Sequence, residues 1–355
     1  MKIKNIRAYR HQFKLTRPYK IAYKTHTTAE NVIVEITTDE GKIGLGAASP
    51  SPEVTKETID ACLTSLVNST SWCEGRNIDE FSLLKRECYA HLTATPAACA
   101  AMDIALHDLY AQTLNKPLVE VLGRVHHQLP TSITIGIKNV EETLQEAEEY
   151  ISRGFKVLKV KLGSNLEEDM VRLIKLREHF TNTITIRVDP NQGYTLQDLI
   201  VFLDKTKELK IEFVEQPLKV SDTSQLYQLP KHYLNMIMLD ESVLNAKDAI
   251  KMLTPSPCCG IFNIKLMKCG GIHGALQIAS LAETSGIDLM WGCMDESIIS
   301  ITAALHAAFS SPATKYIDLD GSLDLENDVV TGGFHLVDGM MSTVDSPGLG
   351  VRKIG

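Results

Sequence analysis

Three short apolar runs in this 355-residue chain each end on an acid: ITIRVD closes at Asp189, IEFVE at Glu215 and MIMLD at Asp240. If these runs are neighbouring parallel strands, their ends lie about 5 Å apart and the carboxylates converge. Left unpaired, they would repel one another, and a hard divalent cation resolves the repulsion. An all-oxygen ligand set with few protein groups favours Mg²⁺, with water or substrate oxygens completing an octahedron; Mn²⁺ would be tolerated. No His or Cys joins the group, which argues against zinc. Two further runs carry Lys159-Val160-Lys161 and Asn263-Ile264-Lys265. A metal that binds a substrate carboxylate would stabilise the enediolate formed when the α-proton leaves. One of Lys161 and Lys265 can remove that proton. The other can return a proton on the opposite face and invert the centre, or only stabilise charge while a β-group leaves. Alternation puts Lys159 on the face of Lys161. Its charge either lowers the Lys161 pKa towards a usable amine or simply counters the carboxylates. Asn191 and Lys268 are read as supporting residues, Lys268 lying behind the site or in solvent.

The elements that must position these residues show a regular spacing. From residue 130 onward, β-branched or apolar runs begin near Ser132, Val157, Ile184, Ile211, Met236, Ile261, Ile287 and Tyr316, at intervals of 25 to 29 residues, with helical segments filling most gaps. Eight βα units of this size predict an α/β fold of the (β/α)₈ TIM-barrel type, in which reactive residues sit at the C-terminal ends of the strands. A doubly wound open sheet competes, but no G-x-G-x-x-G follows the first strand. In a ring of eight, strands two and six are opposite, so Lys161 and Lys265 would face each other across the metal. The first 125 residues read differently: short strands over 2–12, 32–37 and 42–47, a turn signal at Thr37–Lys42, then an Ala-rich helix around 97–109. That order suggests a separate α+β unit.

Composition excludes several classes. Lys and Arg number 36 against 44 Asp and Glu, for a net charge of −8, which lacks the footprint of a nucleic-acid binder. No run approaches 18 apolar residues, and the N-terminus has no apolar signal core. The eight cysteines form no C-x-x-C pair. Reduced thiols in a cytoplasmic protein are therefore expected.

The ordered set Lys159-Val160-Lys161, Asp189-Pro190-Asn191, Glu215-Gln216-Pro217, Asp240-Glu241-Ser242 and Asn263-Ile264-Lys265, followed by Gly270-Gly271, resembles the enolase superfamily and, within it, the muconate-lactonising branch. The likeness spans essentially the whole chain. It implies a capping domain at 1–125 with a lid loop near 17–28, a barrel at 126–320, and a tail at 321–355 that returns to the cap. It also implies a frequent homo-oligomer and no membrane partner. Asp318-Leu319-Asp320 is similar to the D-x-D motif of dipeptide epimerases, where the pair holds the substrate α-ammonium; pairing of one acid with an internal Lys or Arg is the plainer reading. Gly292-Cys293-Met294-Asp295-Glu296-Ser297 is similar to the G-C-M-x-E-S segment of the same group, which marks Glu296 as a substrate contact. The resemblance thus implies a dipeptide epimerase. Lys24 stands where Ala-Glu epimerases carry an Arg that meets the glutamate side chain, which favours L-Ala-D/L-Glu and a role in murein-peptide metabolism. Asp295 pulls the other way, towards cationic side chains. Dipeptides with hydrophobic side chains, o-succinylbenzoate synthesis and N-acylamino-acid racemisation are the remaining alternatives, and a catalytically silent binding protein is the alternative from another class.

Overall fold

A computed structural model describes residues 1–21 and 24–354, with the side chains of residues 18–26 outside that description. The chain opens with an antiparallel sheet of β1 (Ile3–Ile21), β2 (Lys24–Thr38) and β3 (Ile43–Ala48). The turn after β2 is closed by the Thr38 N–H donating to the Lys42 carbonyl at 3.0 Å, with Gly41 at φ +82°. The segment expected to form a loop near 17–28 instead continues the β1–β2 ladder over its described backbone, with Tyr19 opposite His26 and Lys20 opposite Thr25. The Thr-rich stretch there keeps an extended conformation that suits a pleated edge.

Four helices follow: α1 (Ile59–Asn68), α2 (Phe81–Leu92), α3 (Pro96–Thr113) and α4 (Leu118–Leu122). Helix α3 is buried almost all round because it lies between the cap sheet and the barrel, and its alanines permit close approach. Where it crosses β3, a Cβ on Gly46 would overlap the Ala101 carbonyl, so only glycine fits.

After the short β4 (Leu129–Pro130), eight parallel strands form one sheet in sequence order: β5 (Ile133–Ile135), β6 (Val157–Lys161), β7 (Thr185–Asp189), β8 (Ile211–Glu215), β9 (Ile237–Leu239), β10 (Ile261–Ile264), β11 (Asp288–Trp291) and β12 (Thr314–Ile317). The Ser132 N–H donates to the Ile317 carbonyl at 3.2 Å, and Thr131 bridges Ile317 in parallel, which closes the ring. The outer helices are α5 (Val140–Ser152), α6 (Leu166–Phe180), α7 (Leu196–Thr206), the short α8 (Lys231–Leu234), α9 (Ala246–Leu253), α10 (Leu266–Cys269), α11 (Ile272–Ser285) and α12 (Ile298–Ala308). This is the barrel that the spacing predicts. Its floor is filled by Phe213, Met238, Ile261, Met290 and Tyr316. The Arg187 guanidinium lies 5.2 Å from the Phe213 ring centre and 5.0 Å from that of Tyr316, and pairs with Glu212 at 2.7 Å.

The tail adds β13 (Val330–Gly332), β14 (Phe334–Val337), β15 (Met340–Thr343) and β16 (Val351–Lys353), with β15 pairing β4. Asp108 of α3 accepts the N–H groups of Leu45 (2.9 Å) and Leu349 (2.8 Å), which ties the tail to the cap. Asp103 accepts the His273 N–H at 3.2 Å, at the start of α11, which ties the cap to the barrel. All eight cysteines are free thiols, and no helix among the described residues is long and apolar enough to cross a membrane.

The α3–β3 crossing tests this packing. Gly46→Val should destabilise the protein by about 1–3 kcal/mol or more through overpacking. The measurement is thermal unfolding, and an unchanged midpoint would contradict the contact.

Candidate active site

The acids arrive at one end of the barrel because each is the last or next residue of its strand. Asp189 ends β7, Glu215 ends β8, and Asp240 follows β9; exposure is 0%, 0% and 1%. Burying charge is costly unless each group finds a partner, and lysines supply most of the partners. Lys161 Nζ donates to Asp189 Oδ2 at 2.6 Å. Lys265, directly after β10, donates to Asp240 Oδ2 at 2.7 Å. Glu215 stands between them, accepting from Asn263 Nδ2 at 2.8 Å. The two lysines therefore flank the acids on separate ligand carboxylates, as the strand order predicts.

Lys159 acts as a shared counter-charge. Its Nζ lies 2.8 Å from Glu215, 2.9 Å from Asp318 and 3.3 Å from Asp189. Burial disfavours its charge, but Asp318, Glu215 and Asp189 outweigh that and hold its pKa well above the ordinary lysine value. Of the two readings of Lys159, the geometry displays the counter-charge. Lys268, read as lying behind the site or in solvent, is buried: its Nζ donates to Asp240 Oδ1 (2.5 Å), the Asp240 carbonyl (2.7 Å) and the Asn263 carbonyl (2.8 Å). Burial pushes Asp240 up, yet Lys265 and Lys268 pull it below the usual carboxylate range. Glu215, with weaker compensation, is pushed up to about 7 by burial and by the Asp189 charge. Asn191 has an exposed side chain and enters through its backbone, its N–H donating to Asp189 Oδ1 at 2.9 Å.

The D-x-D acids divide their roles. Asp318 has both oxygens engaged: Ser132 Oγ donates to one at 2.5 Å and Lys159 to the other. Ser132 also accepts from Arg187 Nη1 at 3.2 Å, so the barrel floor supports Asp318 from below. The internal lysine pairing that stood as the plainer reading is therefore present for Asp318. Asp320 accepts the Thr134 N–H at 2.8 Å and, among the described residues, has only the Cys293 thiol, at 3.8 Å, as a hydrogen-bond partner for its other oxygen. Its carboxyl is pushed up to about 7 by burial and by the charges of Asp318 and Asp324. Asp320 is thus the acid with unmet demand for a cation.

Glu296, expected to contact substrate, is turned into its own loop. It is 2% exposed and accepts the Met294 N–H at 2.8 Å, and burial pushes it up to about 7. Asp295 sits on the same loop, and its backbone carbonyl accepts from Asn31 Nδ2 (3.1 Å) and Ser49 Oγ (2.9 Å) of the cap. Asp324 beyond β12 is pushed up to about 6 by burial, Asp295 and Glu146. The Lys24 side chain falls outside the described residues.

Sequence reasoning left Gln216, Glu241, Asn263, Arg187 and Ser132 unassigned. Glu241 adjoins Asp240 and is raised by burial and by the Asp240 and Asp189 charges. The adjacent pair Asp240-Glu241 was visible, but which member points inward is decided by the turn after β9.

The donor set fits a hard divalent cation. It is all oxygen, and Glu215 Oε2 and Glu241 Oε2 are buried without a hydrogen-bond partner. The 2.8 Å approach of Lys159 to Glu215 Oε2 is an ion pair off the hydrogen-bonding direction. Asp189, Glu215, Asp240, Glu241, Asp318 and Asp320 face the ammonium groups of Lys159, Lys161, Lys265 and Lys268, so the acids are in excess. With lysines threaded among these carboxylates, no three His, Cys, Asp or Glu among the described residues are gathered tightly enough to hold an ion as they stand.

Comparison with known proteins bears on this geometry. Residues 4–123 match the mandelate racemase / muconate lactonizing enzyme N-terminal domain, and residues 142–353 match the enolase C-terminal domain-like family. The chain is 55% identical over 356 residues to an L-Lys-D/L-Arg epimerase of Desulforapulum autotrophicum, covering 100% of both. It is 34% identical to the L-Ala-D/L-Glu epimerase of Bacillus subtilis, covering 99% of this chain and 97% of the other. It superposes with TM-score 0.97, at 53% identity and 99% coverage of both chains, on a dipeptide epimerase of Methylococcus capsulatus complexed with Mg and L-Arg-D-Lys. By family models over both regions and by identity along its whole length, the chain belongs to the mandelate racemase and muconate lactonizing enzyme family of enolase-like proteins.

Proposed function

We propose that this protein is a Mg²⁺-dependent dipeptide epimerase that inverts the α-carbon of the C-terminal residue and prefers dipeptides with cationic side chains. One observation carries the chemistry: Lys161 and Lys265 flank a buried carboxylate trio, while Asp320, beyond β12 at the same end of the barrel, is an acid in need of a cation. Asp189, Glu215 and Asp240 would hold the metal. When bound, a divalent cation supplies Lewis acidity towards the substrate carboxylate.

The protein's own groups do the rest. Lys161 and Lys265 approach the α-carbon from opposite sides, one taking the proton and the other giving one back. Lys268 keeps the Asp240 backbone and carboxylate fixed while Lys265 acts. Lys159 and Ser132 hold Asp318 in place, and Asp320 receives the dipeptide ammonium. An N-acylated substrate would leave the Asp320 charge unmet, which disfavours the synthase and acylamino-acid readings.

Side-chain preference follows from the rim. Asp320 and Asp324 are raised first by burial and then by neighbouring acids, Asp318 and Asp324 acting on Asp320, and Asp295 and Glu146 acting on Asp324. A lysine or arginine side chain relieves that repulsion, and a glutamate adds to it. Supporting this reading, relatives named L-Lys-D/L-Arg epimerase reach 55% and 53% identity, against 35% and 34% for two named L-Ala-D/L-Glu epimerase.

Proton NMR in D₂O with Mg²⁺ tests the proposal. L-Lys-L-Arg should lose its C-terminal α-proton signal and form the L,D diastereomer faster than L-Ala-L-Glu. Faster turnover of L-Ala-L-Glu would return the assignment to an anionic side chain, and no exchange on either would end the epimerase reading. Lys161→Ala and Lys265→Ala should each lower epimerisation by about 10²–10⁴-fold. Each variant should still wash deuterium into one epimer through the lysine that remains; a variant racemising at the wild-type rate contradicts the two-base arrangement. Finally, Asp320 must be ionised to pair with an ammonium. Because its carboxyl is pushed up to about 7, kcat/KM should fall as pH drops through that value. In Asp320→Asn that limb should flatten, and KM for a free dipeptide should rise about 10- to 100-fold.

A further inference from the structure

The three carboxylates proposed to hold the metal leave their strands through turns that meet at one residue, through its backbone and its side chain. Gln216 directly follows Glu215 and is 1% exposed. Its backbone has φ +34°, a left-handed conformation that a non-glycine residue keeps only when its surroundings dictate it. Its backbone carbonyl accepts the Gln192 N–H at 2.8 Å, from the turn after Asp189. Its side chain reaches the turn after β9: Oε1 accepts the N–H groups of Asp240 (3.0 Å) and Ser242 (3.1 Å). Nε2 donates to Ser242 Oγ (2.8 Å) and the Leu218 carbonyl (2.9 Å). Ser242 Oγ is held in turn by Thr223 Oγ1 at 2.8 Å. Both lone-pair directions and both amide hydrogens of Gln216 are therefore used. None of these bonds goes to a ligand carboxylate; they go to the backbones that carry the carboxylates.

We infer that Gln216 is a positioning residue that sets the spacing of Asp189, Glu215 and Asp240 for the metal. The inference rests on the metal-centre reading above. Mg²⁺ demands near-ideal octahedral geometry at about 2.0–2.1 Å, so ligands must be placed by groups that do not themselves touch the ion. Strand pairing alone does not do this here. The β8–β9 ladder is short, joining Val214 to Ile237 and Glu215 to Met238, and it stops two residues before Asp240. The Gln216 amide spans that gap. Its left-handed turn is what lets one residue follow Glu215 in the chain and still point its amide at the next strand.

Isothermal titration of the full-length protein with Mg²⁺ tests this, with Mn²⁺ followed by electron paramagnetic resonance as a second readout. Gln216→Met removes both amide functions at nearly equal volume. Gln216→Gly removes them while accepting the left-handed backbone without strain. Both should bind Mg²⁺ about 10- to 100-fold more weakly than wild type. Raised Mg²⁺ should restore turnover in Gln216→Gly, and its metal-free melting temperature should stay within a few degrees of wild type. Mg²⁺ affinity within about threefold of wild type in either folded variant overturns the inference. So does failure of Gln216→Gly to fold, because a positional role leaves the metal-free scaffold standing. Wild-type protein that binds no Mg²⁺ rejects the metal centre itself and the inference with it, an outcome separate from a variant that merely matches the wild type.

Discussion

The site depends on the pairing of buried acids with buried lysines at the C-terminal end of the barrel. Removing one partner of a buried pair strands the other charge in a poorly solvated place, and typically costs about 3–5 kcal/mol. Here some pairs are shared: Lys159 touches three acids, and Asp240 is held by both Lys265 and Lys268. The lattice is rigid yet short of positive charge. Burial, with neighbouring acid charge that the lysines do not fully offset, pushes Glu215 and Asp320 each up to about 7. A protein built only for stability would not keep such deficits in its interior. A protein that binds a cation and an ammonium would, because its ligands supply the missing charge.

Much of this was legible in the sequence because the barrel converts strand order into spatial order. The acids at Asp189, Glu215 and Asp240 and the lysines at Lys161 and Lys265 lie at the ends of apolar runs, and a parallel ring carries such positions to one face. What escaped depends on directions that periodicity does not encode. Gln216 works through a left-handed backbone and a cross-strand amide, and nothing in Glu-Gln-Pro announces either. Glu296 lies in a motif shared with epimerases, yet a local bond to the Met294 N–H turns it inward. Asp318 and Asp320 read as equivalent under alternation; Ser132 and Lys159 tie down the first, and the second stays available. The strand over 2–12 and the loop near 17–28 belong to one ladder, because the polar residues between them and the next strand pair across it all the same.

Asn263 shows how far such constraints reach. Its amide donates to Glu215, and a Cβ on Gly292 would sit 2.7 Å from its Oδ1. Glycine at 292 therefore follows from the need to hold Glu215, three strands away. The Gly292–Ser297 segment is thus partly a packing requirement of the metal side, even though its motif reads as a substrate signature.

The same separation explains how one catalytic plan can serve many substrates. Lys161, Lys265 and the acids they pair with sit on strand ends, locked by one another. Asp295 and Asp324 sit on loops held by the cap: Asn31 accepts the Ser297 N–H at 3.0 Å and donates to the Asp295 carbonyl, while Leu15 bridges Leu325 and the Thr16 N–H donates to the Asp324 carbonyl at 2.8 Å. Those bonds use backbone groups on the loops. Rim and strand ends therefore answer to different parts of the fold, the first to the cap and the second to the lysine–acid lattice, so one lattice can be combined with different rims.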